Sequence, residues 1–380
     1  MLPYHQVKFM KGDCLRFVKL ISSDIFQNKI VKAALWIVFL IHTTMTIITG
    51  YFFTHHLTPQ EIFGYSPVFL EYFYIGTVIL ILLFQGKVID NIPGELPLWV
   101  LNKATRKTYK EIRKEIIFIH VHCIANLIVV VVGLYYFLKF EARDNEYFFP
   151  FRFFEDYCAD KSTILTFVYK STFPIIGYLF FVHQFQLMYF TQHIRYQLMI
   201  LINHIENLTD VAGTKREDKL FYDESYQEEI RKRLIFCFKR FKDFVLFTAN
   251  KYTQLSNAVI IFMLTGYLLC VSVALNIIFG NILSYMRVTV MSVGTVSGLC
   301  GLMWSSQSLE NIFEELLSEA IKINWYNFSE SNKRMYLIFL VHLARDRKIK
   351  FSANYCLNYG LGLASARATY SIVSVAINIF

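Results

Sequence analysis

Few residues in this chain could carry chemistry, and none is arranged for catalysis. His120 and His122 sit two apart inside an apolar run, which on a helix separates them by about 200°, so one metal ion cannot be shared between them. His183 stands alone, and no glycine-rich phosphate loop, nucleophile elbow or carboxylate pair accompanies these histidines. The expectation is a protein that is not an enzyme, with no cofactor and no bound metal. Two other ionisable residues, Glu71 and Lys170, fall inside apolar segments about two turns from one surface. Charge there is costly and is usually paired or turned toward a cavity. Two readings stand side by side: an ion pair next to a pocket, or two side chains that snorkel separately to the interface.

Binding is the better-supported chemistry. Aromatic and small residues gather toward one end of four apolar segments: Leu70, Tyr72, Phe73 and Gly76; Gly133, Tyr135 and Tyr136; Phe173, Pro174, Ile176, Gly177 and Tyr178; Tyr285, Met291 and Ser292. Apolar pockets with a few polar tips are the usual form of small-molecule sites. The candidate ligand-binding residues are Leu70, Tyr72, Phe73, Gly133, Tyr136, Phe173, Ile176, Gly177, Tyr285 and Met291, each of which would serve equally as core or as an interfacial belt. Residues 147–157, YFFPFRFFEDY, hold seven aromatics in eleven positions and read either as a lid over the pocket or as such a belt.

The elements that must position these groups are membrane helices. A mean hydropathy of +0.40, with 55% hydrophobic and 17% aromatic residues, is too apolar for a soluble chain of this length. Spans are expected at about 31–53, 66–86, 116–138, 163–189, 256–280, 287–306 and 352–379. The first apolar run begins after Lys29 and Lys32, so no signal peptide is expected. Lys and Arg crowd the segments before span one and after spans two, four and six, while residues 54–65 hold none and 139–162 lean acidic. Cytoplasmic loops carry that excess, which predicts a cytoplasmic amino end and, after an odd number of crossings, an extracellular carboxyl end. The net charge of +9 thereby reads as topology, with no nucleic-acid partner implied. On that topology the sequons at Asn207 and Asn327 fall on the cytoplasmic side. Seven cysteines without paired spacing suggest no disulfide framework.

No repeat or linker divides the chain, so residues 1–380 form one unit: a cytoplasmic segment 1–30, spans one to four within 31–189, spans five and six with cytoplasmic helices within 190–350, and a last span at 351–380. In the cytoplasmic part, Ser308–Ile323 and the stretch after Ser329 show helical periodicity, with Ser329 or Ser331 as a cap. The last span carries two stripes. Gly360, Ala364 and Ala368 are small and allow close helix approach, while Thr369, Val373 and Ile377 form an apolar stripe that suits either a pore lining or an ordinary packed helix.

The segment Trp325-Tyr326-Asn327-Phe328-Ser329, an amphipathic basic helix, and then Arg367-Ala368-Thr369-Tyr370-Ser371 near the end together resemble the insect odorant receptors. Asn324 stands where a proline is common in that family, and Gly362 where a phenylalanine is usual. The resemblance implies an all-α, seven-span odorant-gated non-selective cation channel subunit. It would bind a small volatile in the outer half of its bundle and line its pore with the last helix. Val373 and Ile377 match positions where the family narrows its pore, beside Thr369. The resemblance further implies a heteromer, tetrameric in the family, with the shared odorant co-receptor through a cytoplasmic anchor, in the plasma membrane of a sensory dendrite. The co-receptor itself is disfavoured because its loop after span four is much longer than residues 191–254. A gustatory receptor of the same superfamily is the nearest alternative, but its terminal TY-x5-QF is broken by Ala376 and Ile377. A G-protein-coupled receptor is opposed by the expected orientation, and a transporter by the lack of repeats.

Overall fold

A computed structural model describes residues 13–85, 96, 98–101, 104–139, 144–211, 217–279, 285–345 and 356–379. The chain runs α1 (Arg16–Ser22), α2 (Lys29–His55), α3 (Pro59–Gln85), α4 (Arg106–Leu138), α5 (Asp144–Tyr147), α6 (Phe149–Tyr157), α7 (Ser162–Lys170), α8 (Phe173–Glu206), α9 (Glu224–Phe279), α10 (Tyr285–Ile321), α11 (Glu330–Leu343) and α12 (Tyr359–Ile379), with short 3-10 turns between some of them.

Local chemistry sets these boundaries. Asn28 caps α2, its side chain accepting from the Ile30 amide at 2.9 Å. Thr58 and Glu61 form a reciprocal capping box ahead of Pro59, as expected where Thr-x-x-Glu brackets a helix start with proline at its first position. The Thr58 amide and then Arg152, at 2.7 Å, hold the Glu61 carboxyl below its usual pKa. Thr105 caps α4. Of the two serines offered as a cap for α11, Ser329 takes the role.

The expected fourth span, 163–189, is not one helix. It breaks between Lys170 and Phe173 into α7 and α8. Pro174, in the first turn of α8, has no N–H for the carbonyl one turn back. Ser171 and Thr172 donate their hydroxyls to the carbonyls of Val168 and Tyr169 at 2.6 and 2.7 Å, so side chains supply bonds to the last turn of α7 where the helix stops. The helix then continues to Glu206, far past residue 189. The last span also starts later than expected, at Tyr359, because the Asn358 side chain caps it from outside: Oδ1 accepts from the Leu361 amide at 3.1 Å, and Nδ2 donates to Glu310 at 3.3 Å. Positions 86, 280, 352–355 and 380 of the expected spans lie outside the described residues.

Among the described residues, five helical stretches are long and apolar enough to cross a membrane: Lys29–His55, Gly64–Gln85, Arg106–Leu138, Ala159–Glu206 and Met286–Ile321. The apolar Val259–Leu275 within α9 and the 21-residue α12 occupy the places of the fifth and seventh expected spans. Helix α8 is the axis of the bundle, packed against α10, α4, α3 and α1, while α9 packs on α3. Among the described residues, helix α12 packs mainly on α9 and α10.

Beyond the apolar stretches, α8, α9 and α10 continue and are joined by α11 to form a second helical layer. Phe244, Phe328, Tyr336 and Phe339 are fully buried there. Where water is the solvent, each such side chain contributes about 1.5–3 kcal/mol. Helices within lipid lack that drive and depend on close packing and hydrogen bonds. Gln227 ties the layer together: its side chain donates to Asn327 O at 2.8 Å and accepts from the Ser329 amide at 2.8 Å. The Trp325–Ser329 stretch is thus a built turn, with Phe328 inside and Trp325 and Tyr326 exposed.

Candidate functional site

Four long helices and one short turn enclose a cavity of about 90 Å³. Helix α3 supplies Glu71 and Tyr72; α4 supplies Val129, Val130, Gly133, Leu134 and Phe137; α8 supplies Phe173, Ile176, Gly177, Phe180 and Phe181; α10 supplies Val290, Met291 and Gly294. Phe148, between α5 and α6, covers one end. The space exists because three walls carry no side chain. A Cβ at Gly133 would stand 3.0 Å from Val290, and one at Gly177 or Gly294 would stand 3.4 Å from Val130 or Phe181.

Six of the ten candidate ligand-binding residues line this cavity: Tyr72, Gly133, Phe173, Ile176, Gly177 and Met291. Leu70, Phe73 and Tyr136 do not, and Phe73 is 47% exposed. The Tyr285 side chain lies outside the described residues. Sequence reasoning missed Phe137, Phe180, Phe181 and Gly294, while Phe148 belongs to the aromatic run it offered as a lid or a belt. Helical spacing would have reached most of them, since Phe137 is one turn from Gly133 and Phe180 and Phe181 are one turn from Gly177.

The aromatic run 147–157 folds inward. Tyr147, Phe148, Phe149, Phe151 and Phe154 are buried, while Tyr157 is 63% exposed. Phe148 packs on Phe173 and Phe137 at centroid distances of 5.4 and 6.1 Å, and the Tyr147 hydroxyl lies 3.4 Å from the Met291 sulfur. The run is a roof whose outer edge alone meets the surroundings.

Lys170 does not pair with Glu71. Its Nζ donates to Asp144 Oδ2 at 2.5 Å, and Asp144 Oδ1 meets Arg287 at 2.8 Å. The pairing follows from the break after Lys170, which places this residue at the end of α7, facing the start of α5. Lys170 and Arg287 also donate to backbone carbonyls at the end of α4: Lys170 to Lys139 O at 3.1 Å and Arg287 to Tyr136 O at 3.1 Å. The guanidinium of Arg287 lies 5.6 Å from the Phe148 ring. These charges are buried, so the cluster staples α4, α5, α7 and α10 around the roof. None of the three lines the cavity.

Behind the Tyr72 wall, His42 stacks on the Tyr72 ring at 4.5 Å. Its Nε2 is 2.7 Å from Thr172 Oγ1, and its Nδ1 is 3.2 Å from the Tyr169 hydroxyl. Thr172 already donates its proton to Tyr169 O, so it can only accept from His42. The network assigns the proton to Nε2 and leaves Nδ1 to accept from Tyr169. His42 thereby acts as a neutral spacer holding Tyr72.

A second, larger cleft of about 1050 Å³ lies between α9, α10 and α12 and reaches His122 on α4. Thr369 and Val373 line it, whereas Ile377 is 51% exposed. The two spaces adjoin at Phe180, and a polar knot lies at the His122 edge of the cleft. Asn126 contacts His122 at 3.0 Å, Ser297 donates to Asn126 at 2.6 Å, and the Gln184 amide packs on His122. Gln184 fills the place a Cβ at Gly301 would occupy, its Nε2 only 1.8 Å away. The other histidines are structural here: His120 meets Phe17 edge-on, and His183 bonds Gln186 at 2.7 Å.

One possible metal-ligand group was not foreseen: Asp13, Cys14 and His193 converge. Asp13 is already engaged by His193 at 2.9 Å, the Tyr189 hydroxyl at 2.7 Å and the Leu15 amide at 2.8 Å. Burial, with the Asp13 charge behind it, pushes the Cys14 thiol up to about 12, which opposes the thiolate a metal needs. These residues fit a latch that docks α1 on α8.

Fold and site together define a multi-pass helical bundle with an apolar cavity among four of its helices. The sequence profile described as 7tm Odorant receptor matches residues 101–362, and the chain belongs to that family. It is a family of receptors rather than enzymes. Two solved structures of the insect olfactory receptor OR5 from Machilis hrabei, one in complex with eugenol, superpose with a TM-score of 0.68, 9% sequence identity and coverage of 97% of each chain. At that identity the likeness shows the fold. No curated protein matches by sequence.

Proposed function

We propose that this chain is an odour-tuning subunit of an odorant-gated, non-selective cation channel: it binds a small volatile in the cavity beneath Phe148 and opens a pore lined by α12. The observation that carries the reading is the cavity itself, closed by the buried aromatic roof and hollowed by Gly133, Gly177 and Gly294. The OR5 receptor of similar fold has been solved with eugenol. The pore assignment rests on Thr369 and Val373 facing the large cleft with Ile377 one turn on, and on the sparse contacts of α12 with its own chain. The channel is a heteromer, tetrameric by family resemblance, with the odorant co-receptor in the plasma membrane of a sensory dendrite. Its amino end is cytoplasmic and its carboxyl end extracellular. A tag placed after Phe380 should stain on intact cells and one before Met1 should not; the opposite pattern would refute the orientation.

Currents recorded with the co-receptor against a panel of volatiles test the site and the pore together. An apolar ligand gains about 25 cal/mol per Å² buried, so wall changes should act through size. Gly177→Leu adds four carbons at the cavity wall and should abolish responses to larger agonists while smaller ones remain. If every agonist keeps its potency order at normal surface level, recognition lies elsewhere. If all lose maximal current alike, the wall serves folding or gating. In the same cells, Val373→Ser with Ile377→Ser should raise ligand-free current, because an apolar constriction gates by dewetting. Unchanged leak and permeability would remove these residues from the narrow part of the pore.

A further inference from the structure

The cavity has one ionisable group in its wall. Glu71 stands among apolar and aromatic side chains, with Tyr72, Phe137, Phe148 and Phe173 around the same space. The part-buried Glu71 differs from the fully buried charges near it and elsewhere in the bundle: Lys170 and Arg287 share Asp144, and Arg240 of α9 donates to Gln197 at 3.2 Å while lying 4.5 Å from the Trp99 ring. Glu71 makes no hydrogen bond or ion pair among the described residues, and the cation nearest in sequence expectation, Lys170, is committed to Asp144. An unpartnered carboxyl inside a membrane span is costly, and burial without a hydrogen bond adds to that cost. A structural role would be expected to supply a partner.

A ligand can supply it instead. From this geometry we infer that the cavity is selective for small organic amines, with Glu71 accepting a charge-assisted hydrogen bond from the ammonium and the aromatic walls facing its substituents. The inference rests on the reading of this cavity as the odorant site. Aliphatic amines are protonated at neutral pH, as the lysine side chain is. Charge-assisted hydrogen bonds are about twice as strong as neutral ones, and ring faces attract cations. Two of these rings already attract a cation, since Arg287 lies 5.6 Å from Phe148 and 5.9 Å from Phe137. A carboxylate ligand is disfavoured by the same arrangement. The cations that would receive it, Lys170 and Arg287, are engaged by Asp144 and by backbone carbonyls and do not line the cavity. Such a ligand would instead meet Glu71.

Benzylamine, benzyl alcohol and toluene share one ring and differ in the polar tip, so they isolate the contribution of Glu71. Their binding to the purified full-length chain is read as thermal stabilisation, and their action as current with the co-receptor. Benzylamine should bind about tenfold more tightly than toluene, the value of one charged hydrogen bond. Glu71→Gln should bring benzylamine to the toluene level while toluene is unaffected, and Glu71→Asp should restore part of the difference. Equal binding of the three to the native chain overturns the inference. So does a uniform loss of all three in Glu71→Gln, or a variant that cannot be purified folded while Glu71→Asp shows no amine preference. The Gly177→Leu variant separates the two levels. If it reshapes the agonist profile while Glu71→Gln changes nothing, only the amine selectivity falls. If neither variant changes any response, the cavity is not the odorant site.

Discussion

Asp144→Ala should nearly abolish folded receptor at the cell surface. Asp144 is shared by two buried cations, 2.5 Å from Lys170 and 2.8 Å from Arg287, whose side chains are only 3% and 6% exposed. Removing one partner of a buried pair costs about 3–5 kcal/mol, because the remaining charge keeps its desolvation penalty. Here two cations are left at once. The opposite change should be mild: Lys170→Met leaves Asp144 and Arg287 as a one-to-one pair and replaces the ammonium by an apolar side chain of similar length, which is often neutral. The ranking is the sharp part of the expectation. Surface-to-total ratios and the melting temperature of purified protein should place Asp144→Ala far below Lys170→Met. Equal losses, or a tolerated Asp144→Ala, would mean that water reaches the cluster. Because Asp144 begins the short helix that precedes Phe148, any folded remainder of the variant should also lose ligand potency through the roof.

Gly301→Ala is the second large effect. Its added carbon would stand 1.8 Å from Gln184 Nε2, 2.7 Å from Gln184 Cδ and 3.0 Å from His122 Nε2. Gln184 is 2% exposed and has little room to withdraw, so it must give up its contacts with His122 and with Ser297 O. Overpacking of this kind costs about 1–3 kcal/mol. A control lies one turn back: a Cβ at Gly298 would meet Gln184 at 3.8 Å, an ordinary contact, so Gly298→Ala should be tolerated. Trimming the obstacle should rescue the variant. Gly301→Ala with Gln184→Ala is expected to be more stable than Gly301→Ala alone, a non-additivity that melting curves of the four proteins would register. Additive losses would show that the clash relaxes elsewhere. His122 of the knot lines the cleft beside α12, and Phe180 lines both that cleft and the smaller cavity, so agonist potency and maximal current in the rescued variant should also report on how the two spaces communicate.

Much of this protein was legible in its residues. Hydropathy located the long apolar helices, five of them long and apolar enough to cross a bilayer among the described residues, because a bilayer demands such helices whatever packs around them. The Thr58–Glu61 box and the Ser329 cap were local hydrogen-bond arrangements, determined within four residues of chain. The motifs at 325–329 and 367–371 carried the family. The cavity lining was legible by region and type, as Gly133, Phe173 and Gly177 show, but not by face. A helix that is apolar all round gives no phase, so Leu70 and Phe73 were indistinguishable from Tyr72 until α3 had packed on α9 and α2. The partner of Lys170 was decided by tertiary structure alone. Pro174 ended one helix and started another, the new end turned Lys170 toward Asp144, and Glu71 was left facing the cavity. Sequence specifies which groups must be paired in a low-dielectric interior; only the packed chain determines which of them meet.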